Sequence, residues 1–150
     1  MEVQGTVRDI LQRKGDQVWT TTEDATVYEA IGLMGNKNIG ALVVLDAQGK
    51  VSGVLSERDY SRKIVLQGRT SRETRVGDIL SRPVITVQRK DAIQDCLKLM
   101  TEKRIRHLPV VVEDRLVGLI SMGDLVSWVI ESQQSTIEHL QGYISGEYPG

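Results

Sequence analysis

An internal duplication constrains this chain more than any other feature. Gly53-Val54-Leu55-Ser56-Glu57-Arg58-Asp59 returns as Gly118-Leu119-Ile120-Ser121-Met122-Gly123-Asp124, each residue 65 positions on. The match extends outward, with Val7-Arg8-Asp9-Ile10-Leu11 repeated as Val76-Gly77-Asp78-Ile79-Leu80 and Thr20 as Thr86. A unit of roughly 60 residues is too short to build a comfortable core alone, so the two copies are expected to form one folding unit.

Each copy carries the same periodicity. Val27, Ala30, Ile31 and Met34 stand at i, i+3, i+4 and i+7, and Ile93, Cys96, Leu97 and Met100 take the same stations 66 positions later. That is one amphipathic helix made twice. Apolar runs at 41–45 and 108–112 follow, each leading through a turn to a second apolar run that ends in the serine, the pattern of a strand hairpin. The offset changes from 69 to 66 between Leu11 and Val18, and to 65 at the hairpin turn. The first copy therefore has three extra residues around Lys14-Gly15-Asp16 and one in the turn, both expected in loops that absorb them cheaply.

The reading is an α+β fold in which each unit runs helix, strand, helix, strand, strand, helix. A three-stranded sheet with helices on one side leaves its other face apolar, so the copies should pack sheet to sheet about a pseudo-two-fold axis. The boundaries follow as residues 1–66 and 76–128 for the copies, 67–75 for a polar surface linker, and 129–150 for a helical tail. From Leu125 onward, Val126, Val129, Ile130, Ile137, Leu140 and Ile144 give the C-terminal stretch a discontinuous apolar face that the body or a second chain would cover.

Composition narrows the function classes. A net charge of -1 and a pI near 6.1 give no global attraction for duplex nucleic acid or an anionic membrane. The apolar runs are strand-sized and no apolar leader opens the chain, so a soluble cytoplasmic protein is expected. Cys96 is the one cysteine and lies on an apolar helix face. His107 and His139 are far apart, and neither a metal-spaced cluster, a nucleophile elbow nor a Walker glycine loop is present. No catalysis and no metal are expected.

Chemistry instead gathers at the duplicated phrase. Each copy ends a strand at a serine and opens a helix, with a carboxylate three residues on. This is the arrangement of a helix-capping box, and equally a place for a sugar and a phosphate. A carboxylate accepts from both cis-hydroxyls of a ribose, and a hydroxyl beside free helix N–H groups suits an anion. The copies differ in charge: Arg104-Ile105-Arg106-His107 stands where the first copy has Asn38-Ile39-Gly40-Ala41, and Arg58 where the second has Gly123.

"GVLSERD", "GLISMGD", "RIRHLPVV" and "VGDIL", together with the duplication, resemble the cystathionine-β-synthase (CBS) domain pair, or Bateman module. "IGALVV…SERDYSRKIVLQGR" and "LQGYISGEY" are similar to stand-alone bacterial and plant organellar members. The resemblance implies two β-α-β-β-α lobes, a disc-like homodimer and clefts for adenosine-containing ligands: AMP first, then ADP or ATP, with NAD as a ligand able to bridge both lobes. It further implies ribose on Asp59 and Asp124, phosphate on Ser56 and Ser121, and adenine near Thr20 and Thr86 with Ile39 and Ile105 as walls. Arg106 and His107 would supply phosphate contacts. The preferred high-affinity cleft combines Ser56, Arg58 and Asp59 with Arg106 and His107. The expected role is energy- or redox-state sensing that modulates a partner, with thioredoxin-like proteins implied by the plant group. A constitutive dimeric scaffold and a single-stranded nucleic-acid binder are the competing readings.

Overall fold

The computed structural model describes residues 3–80 and 82–145, the last of them (134–140 and 142–145) by backbone alone. The expected apolar positions Ile137, Leu140 and Ile144 thus have side chains outside the described residues.

The first copy folds as α1 (Val7–Lys14), β1 (Thr20–Thr22), α2 (Val27–Lys37), β2 (Ala41–Leu45), β3 (Val51–Ser56) and α3 (Glu57–Tyr60), which continues as a π-helical turn over Ser61–Val65. The second opens with a 3-10 turn (Val76–Asp78) and continues through α4 (Ile93–Lys103), β4 (His107–Val112), β5 (Arg115–Ser121) and α5 (Met122–Ser145). Three of the four stripe positions in each helix are buried, Val27, Ala30 and Met34 in α2 and Ile93, Cys96 and Met100 in α4, while Ile31 and Leu97 are half-buried at the core edge.

The sheets differ, and a single residue explains it. The first is three-stranded in the order β1-β2-β3, with β1 parallel and β3 antiparallel to β2, whereas the second is only the β4-β5 hairpin. In the first copy the Val43 N–H donates to the Trp19 carbonyl at 3.2 Å. Its counterpart is Pro109, which has no N–H, so a ladder bond is lost and β1's equivalent shrinks to one bridge between Val87 and Val110. Two bonds hold that bridge, from Val87 N–H to Pro109 O at 3.0 Å and from Val111 N–H to Val87 O at 2.9 Å. Among the described residues the expected third strand of this sheet is thus reduced to that bridge.

Each lobe's core borrows the opening segment of the other copy. Val7, Ile10 and Leu11 of α1 pack with Ile93, Met100, Leu108 and Ile120, while Val76 and Ile79 pack with Val27, Met34, Leu42 and Leu55. The hydrogen bonds are reciprocal. Val7 N–H donates to Asp91 O and Val76 N–H to Ala25 O, both at 2.9 Å; Ile93 N–H donates to Gly5 O at 3.1 Å and Val27 N–H to Thr74 O at 2.9 Å. Glycines admit the exchanged leucines: Leu11 covers Gly118 and Leu80 covers Gly53. This pairwise equivalence is the pseudo-two-fold relation, and it makes neither lobe separable.

The exchange also changes the nature of residues 67–75. They are polar, as read, but Thr74 is buried, its hydroxyl donating to Thr70 O at 2.7 Å, and Tyr28 N–H donates to Ser71 O at 2.9 Å. Arg72 lies 4.0 Å over the Tyr28 ring. The segment is stitched to the start of α2 because it must deliver Val76 to the first lobe.

Candidate functional site

Both duplicated phrases form capping boxes. Ser56 N–H donates to Asp59 Oδ2 at 2.9 Å and Asp59 N–H returns to Ser56 Oγ at 3.3 Å; Ser121 N–H donates to Asp124 Oδ2 at 2.8 Å and Asp124 N–H to Ser121 Oγ at 3.1 Å. Each satisfies two backbone donors at a helix start. A third carboxylate does the same at α1, where Thr6 N–H donates to Asp9 at 2.9 Å. Capping is thus a general device of this chain and does not by itself mark a binding site.

The cavity does more to mark one. A space of about 660 Å³ is lined by Arg58 from the first lobe and by Arg104, Ile105, Arg106, His107, Ser121 and Gly123 from the second, with Met100, Thr101 and Met122. Ligand pockets run roughly 300–1,000 Å³, so a nucleotide-sized molecule fits. Strand and helix ends build it: the Arg106 carbonyl accepts from Met122 N–H at 2.8 Å, clamping the start of β4 to the start of α5. The equivalent clamp in the first lobe, Glu57 N–H to Gly40 O at 3.1 Å, positions α3 and so Arg58.

Five of the expected site residues therefore meet here: Arg58, Ile105, Arg106, His107 and Ser121. Ser56, Asp59, Asp124, Thr20, Thr86 and Ile39 lie outside the lining. The cations gather around the second copy's serine, whereas the sequence reading grouped them with Ser56 and Asp59. Thr20 is paired with Val43 in the sheet, and Thr86 precedes the Val87 bridge. Ile39 and Ile105 each pack on the edge of their lobe's core.

His107 stands between the two boxes. Burial, the largest influence, lowers its pKa below the usual 6.5, with Lys14 and Arg106 acting in the same direction and Asp124 and Asp59 opposing. Its imidazole is held neutral, within electrostatic reach of both carboxylates. Cys96 is pushed up to about 11 by burial, with Asp91 and Asp95 adding to the effect, in keeping with a structural thiol.

Two further residues belong to the site: Arg104, noted in the sequence for its charge but given no contact there, and Lys14, which the sequence reading passed over. Arg104 ends α4 in the left-handed region at φ 56°, where the first copy uses Asn38 at φ 54°. Asparagine suits that conformation and arginine does not, so an arginine held there at the cavity wall is a local cost that binding can explain. Lys14 donates to Asp124 Oδ2 at 2.7 Å and to the Leu119 carbonyl at 2.9 Å. The signal for it was the change of offset after Leu11, read above as loop slack.

These features have counterparts in known proteins. The chain is 40% identical over 152 residues to the mitochondrial CBS domain-containing protein CBSX3 of Arabidopsis thaliana, covering 95% of this chain and 73% of that one. It is 35% identical over 109 residues to the CBS domain-containing protein YhcV of Bacillus subtilis, across 73% and 76% of the respective lengths. A solved CBS-domain protein from Burkholderia ambifaria superposes with a TM-score of 0.81 at 47% identity, covering 86% of this chain and 96% of that one. The CBS domain family matches residues 7–66 and again 76–131. With two matched copies, reciprocally packed, the chain belongs to the CBS-domain family as a tandem pair.

Proposed function

We propose that the protein is a regulatory module that binds an adenine nucleotide between its lobes and thereby changes its affinity for a partner. The observation that carries this reading is the cavity in which Arg58 of one lobe faces Arg104, Arg106, His107 and Ser121 of the other. Arginines that line one cavity beside a helix start suit a phosphate, and their origin in two lobes makes occupancy a tie between them. The ribose is assigned to Asp59, which follows Arg58 in the chain and lies just outside the lining, and adenine to the apolar part of the cavity wall at Met100 and Ile105. AMP is the first candidate, ADP and ATP differ only in how much of the basic cavity they fill, and NAD is the test of a ligand bridging both boxes. No catalytic role is assigned to Ser56, Ser121 or Cys96.

Regulation requires that a partner prefer one liganded state. A second copy of this chain is the first partner, and a thioredoxin-like protein the second. The location read from the sequence is cytoplasmic, whereas the Arabidopsis relative is mitochondrial by name. Among the described residues no helix is long and apolar enough to cross a membrane.

Isothermal titration with AMP, ADP, ATP and NAD tests the binding. AMP should bind to the wild type, and Arg58→Ala and Arg106→Ala should each weaken it about tenfold, the loss of one charge-assisted contact. Undiminished binding in the double variant would remove the cavity from the account. Binding of a short single-stranded RNA with no nucleotide response would favour the competing nucleic-acid reading.

A further inference from the structure

The two carboxylates of the duplicated phrase are differently occupied. Lys14 Nζ lies 2.7 Å from Asp124 Oδ2 and also donates to Leu119 O at 2.9 Å, so two acceptors fix the ammonium on this box. At the other box, Lys63 Nζ stands 3.8 Å from Asp59 Oδ1 and donates to Ile79 O at 2.6 Å, drawn toward the exchanged turn of the second copy. The first arrangement is a close contact ion pair, the second a loose one.

Lys14 reaches Asp124 because of the three extra residues after Leu11. They let α1 run to Lys14 before Gly15, at φ 92°, turns the chain, with Gly15 N–H donating back to Leu11 O at 2.8 Å. The equivalent segment of the second copy stops as a 3-10 turn at Val76–Asp78. Leu11, seated on Gly118, brings this end of α1 against β5 beside the box. The asymmetry is therefore built by an insertion in one copy and delivered to the site of the other by the exchange of opening segments.

We infer that Lys14 closes the Asp124 carboxylate to a ribose, so that each chain takes one adenine nucleotide, on Asp59, and cannot be bridged by a dinucleotide that uses both boxes. The inference rests on the proposed assignment of these aspartates to ribose. Lys14 Nζ and the Ser121 N–H both use Asp124 Oδ2, so a ribose whose two hydroxyls take both carboxylate oxygens has to displace the ammonium from one of them, and a neutral hydrogen bond does not replace that charged contact. The pair is partly exposed, with side-chain exposures of 38% and 23%, so it adds little to stability and its removal leaves the fold intact.

The experiment is isothermal titration of AMP and NAD into wild type, Lys14→Met, Asp59→Asn and the double variant Lys14→Met/Asp124→Asn, each checked by its melting curve. Lys14→Gln is the second replacement should methionine lower the melting temperature. Asparagine is used because its side-chain oxygen still accepts the capping N–H. The wild type should show one AMP per chain, weakened about tenfold or more by Asp59→Asn. Lys14→Met should add a second AMP site or strengthen a weak one severalfold, and tighten NAD. The double variant should lose that gain. Two equal AMP sites in the wild type, or weaker binding in Lys14→Met, would overturn the inference while leaving the nucleotide reading in place. No AMP or NAD heat in any variant would overturn both.

Discussion

Arg104 condenses the argument at the residue scale. Its backbone sits in the left-handed region that Asn38 occupies by preference in the other lobe, and its side chain lines the basic cavity. Arg104→Asn should therefore stabilise the protein, by about 0.5–1 kcal/mol, while weakening AMP severalfold. Denaturant unfolding and titration on the same sample check both signs; a variant that loses stability would mean the arginine is held there by packing rather than for a ligand. His107 offers a second test. Its pKa is lower folded than the unfolded 6.5, so the unfolded chain binds more protons between the two values, and stability should fall as pH drops below about 6.5. His107→Gln should flatten that arm of the curve. A bound phosphate pulls the other way, favouring the imidazolium, so AMP binding should take up protons, seen as a binding enthalpy that depends on the buffer. Of these residues, His107 and Arg106 were legible in the sequence because the copies differ there. The left-handed backbone at Arg104 was not, since periodicity says nothing of the sign of φ.

At the scale of elements, the sequence carried the amphipathic helices and hairpins well, because burial at 3.6-residue spacing and turns at regular spacing are local signals. What it hid was partnership. Nothing in Val7–Leu11 or Val76–Leu80 says which copy each will cover, since both lobes are built on the same pattern and either pairing buries the same apolar face. Pro109 was readable in principle: a proline within an apolar run signals a missing ladder bond, and the second sheet loses its outer strand there. The exchange predicts unequal tolerance at its two glycines. A Cβ on Gly118 would meet Leu11 side-chain carbons at 2.8 and 2.9 Å, whereas one on Gly53 would meet Leu80 at 3.3 Å. Leu11 is locked in the second core, so Gly118→Ala should cost about 1–3 kcal/mol of stability and Gly53→Ala less than about 1. Equal losses in chemical denaturation would argue that α1 can withdraw from the second lobe without penalty.

For the whole molecule, the question is what covers the apolar surface the fold leaves outside. Val65 ends the π-helical turn and Leu66 caps it, at 58% and 77% exposure, and Val126 and Ile130 lie one turn apart on α5 at 44% and 60%. Ile130 is the repeat counterpart of Val65, so both lobes present an apolar patch at the same place after the capping box. A single chain with two such patches related by a pseudo-two-fold suits a second chain that presents the same pair, because a two-fold dimer requires a self-complementary surface. Arg13 fixes where α5 stands, stacking 5.0 Å over Trp128 and pairing with Glu131, while Trp128 Nε1 donates to Gln4 O at 2.7 Å. The patch on α5 is thus tied to α1, the helix that also carries Lys14 to the second box. Sedimentation should find the wild type dimeric, and Leu66→Glu combined with Ile130→Glu monomeric with its melting curve still cooperative. If the double variant stays dimeric, the patches serve another partner, and the link from cleft to assembly has to run through a different surface.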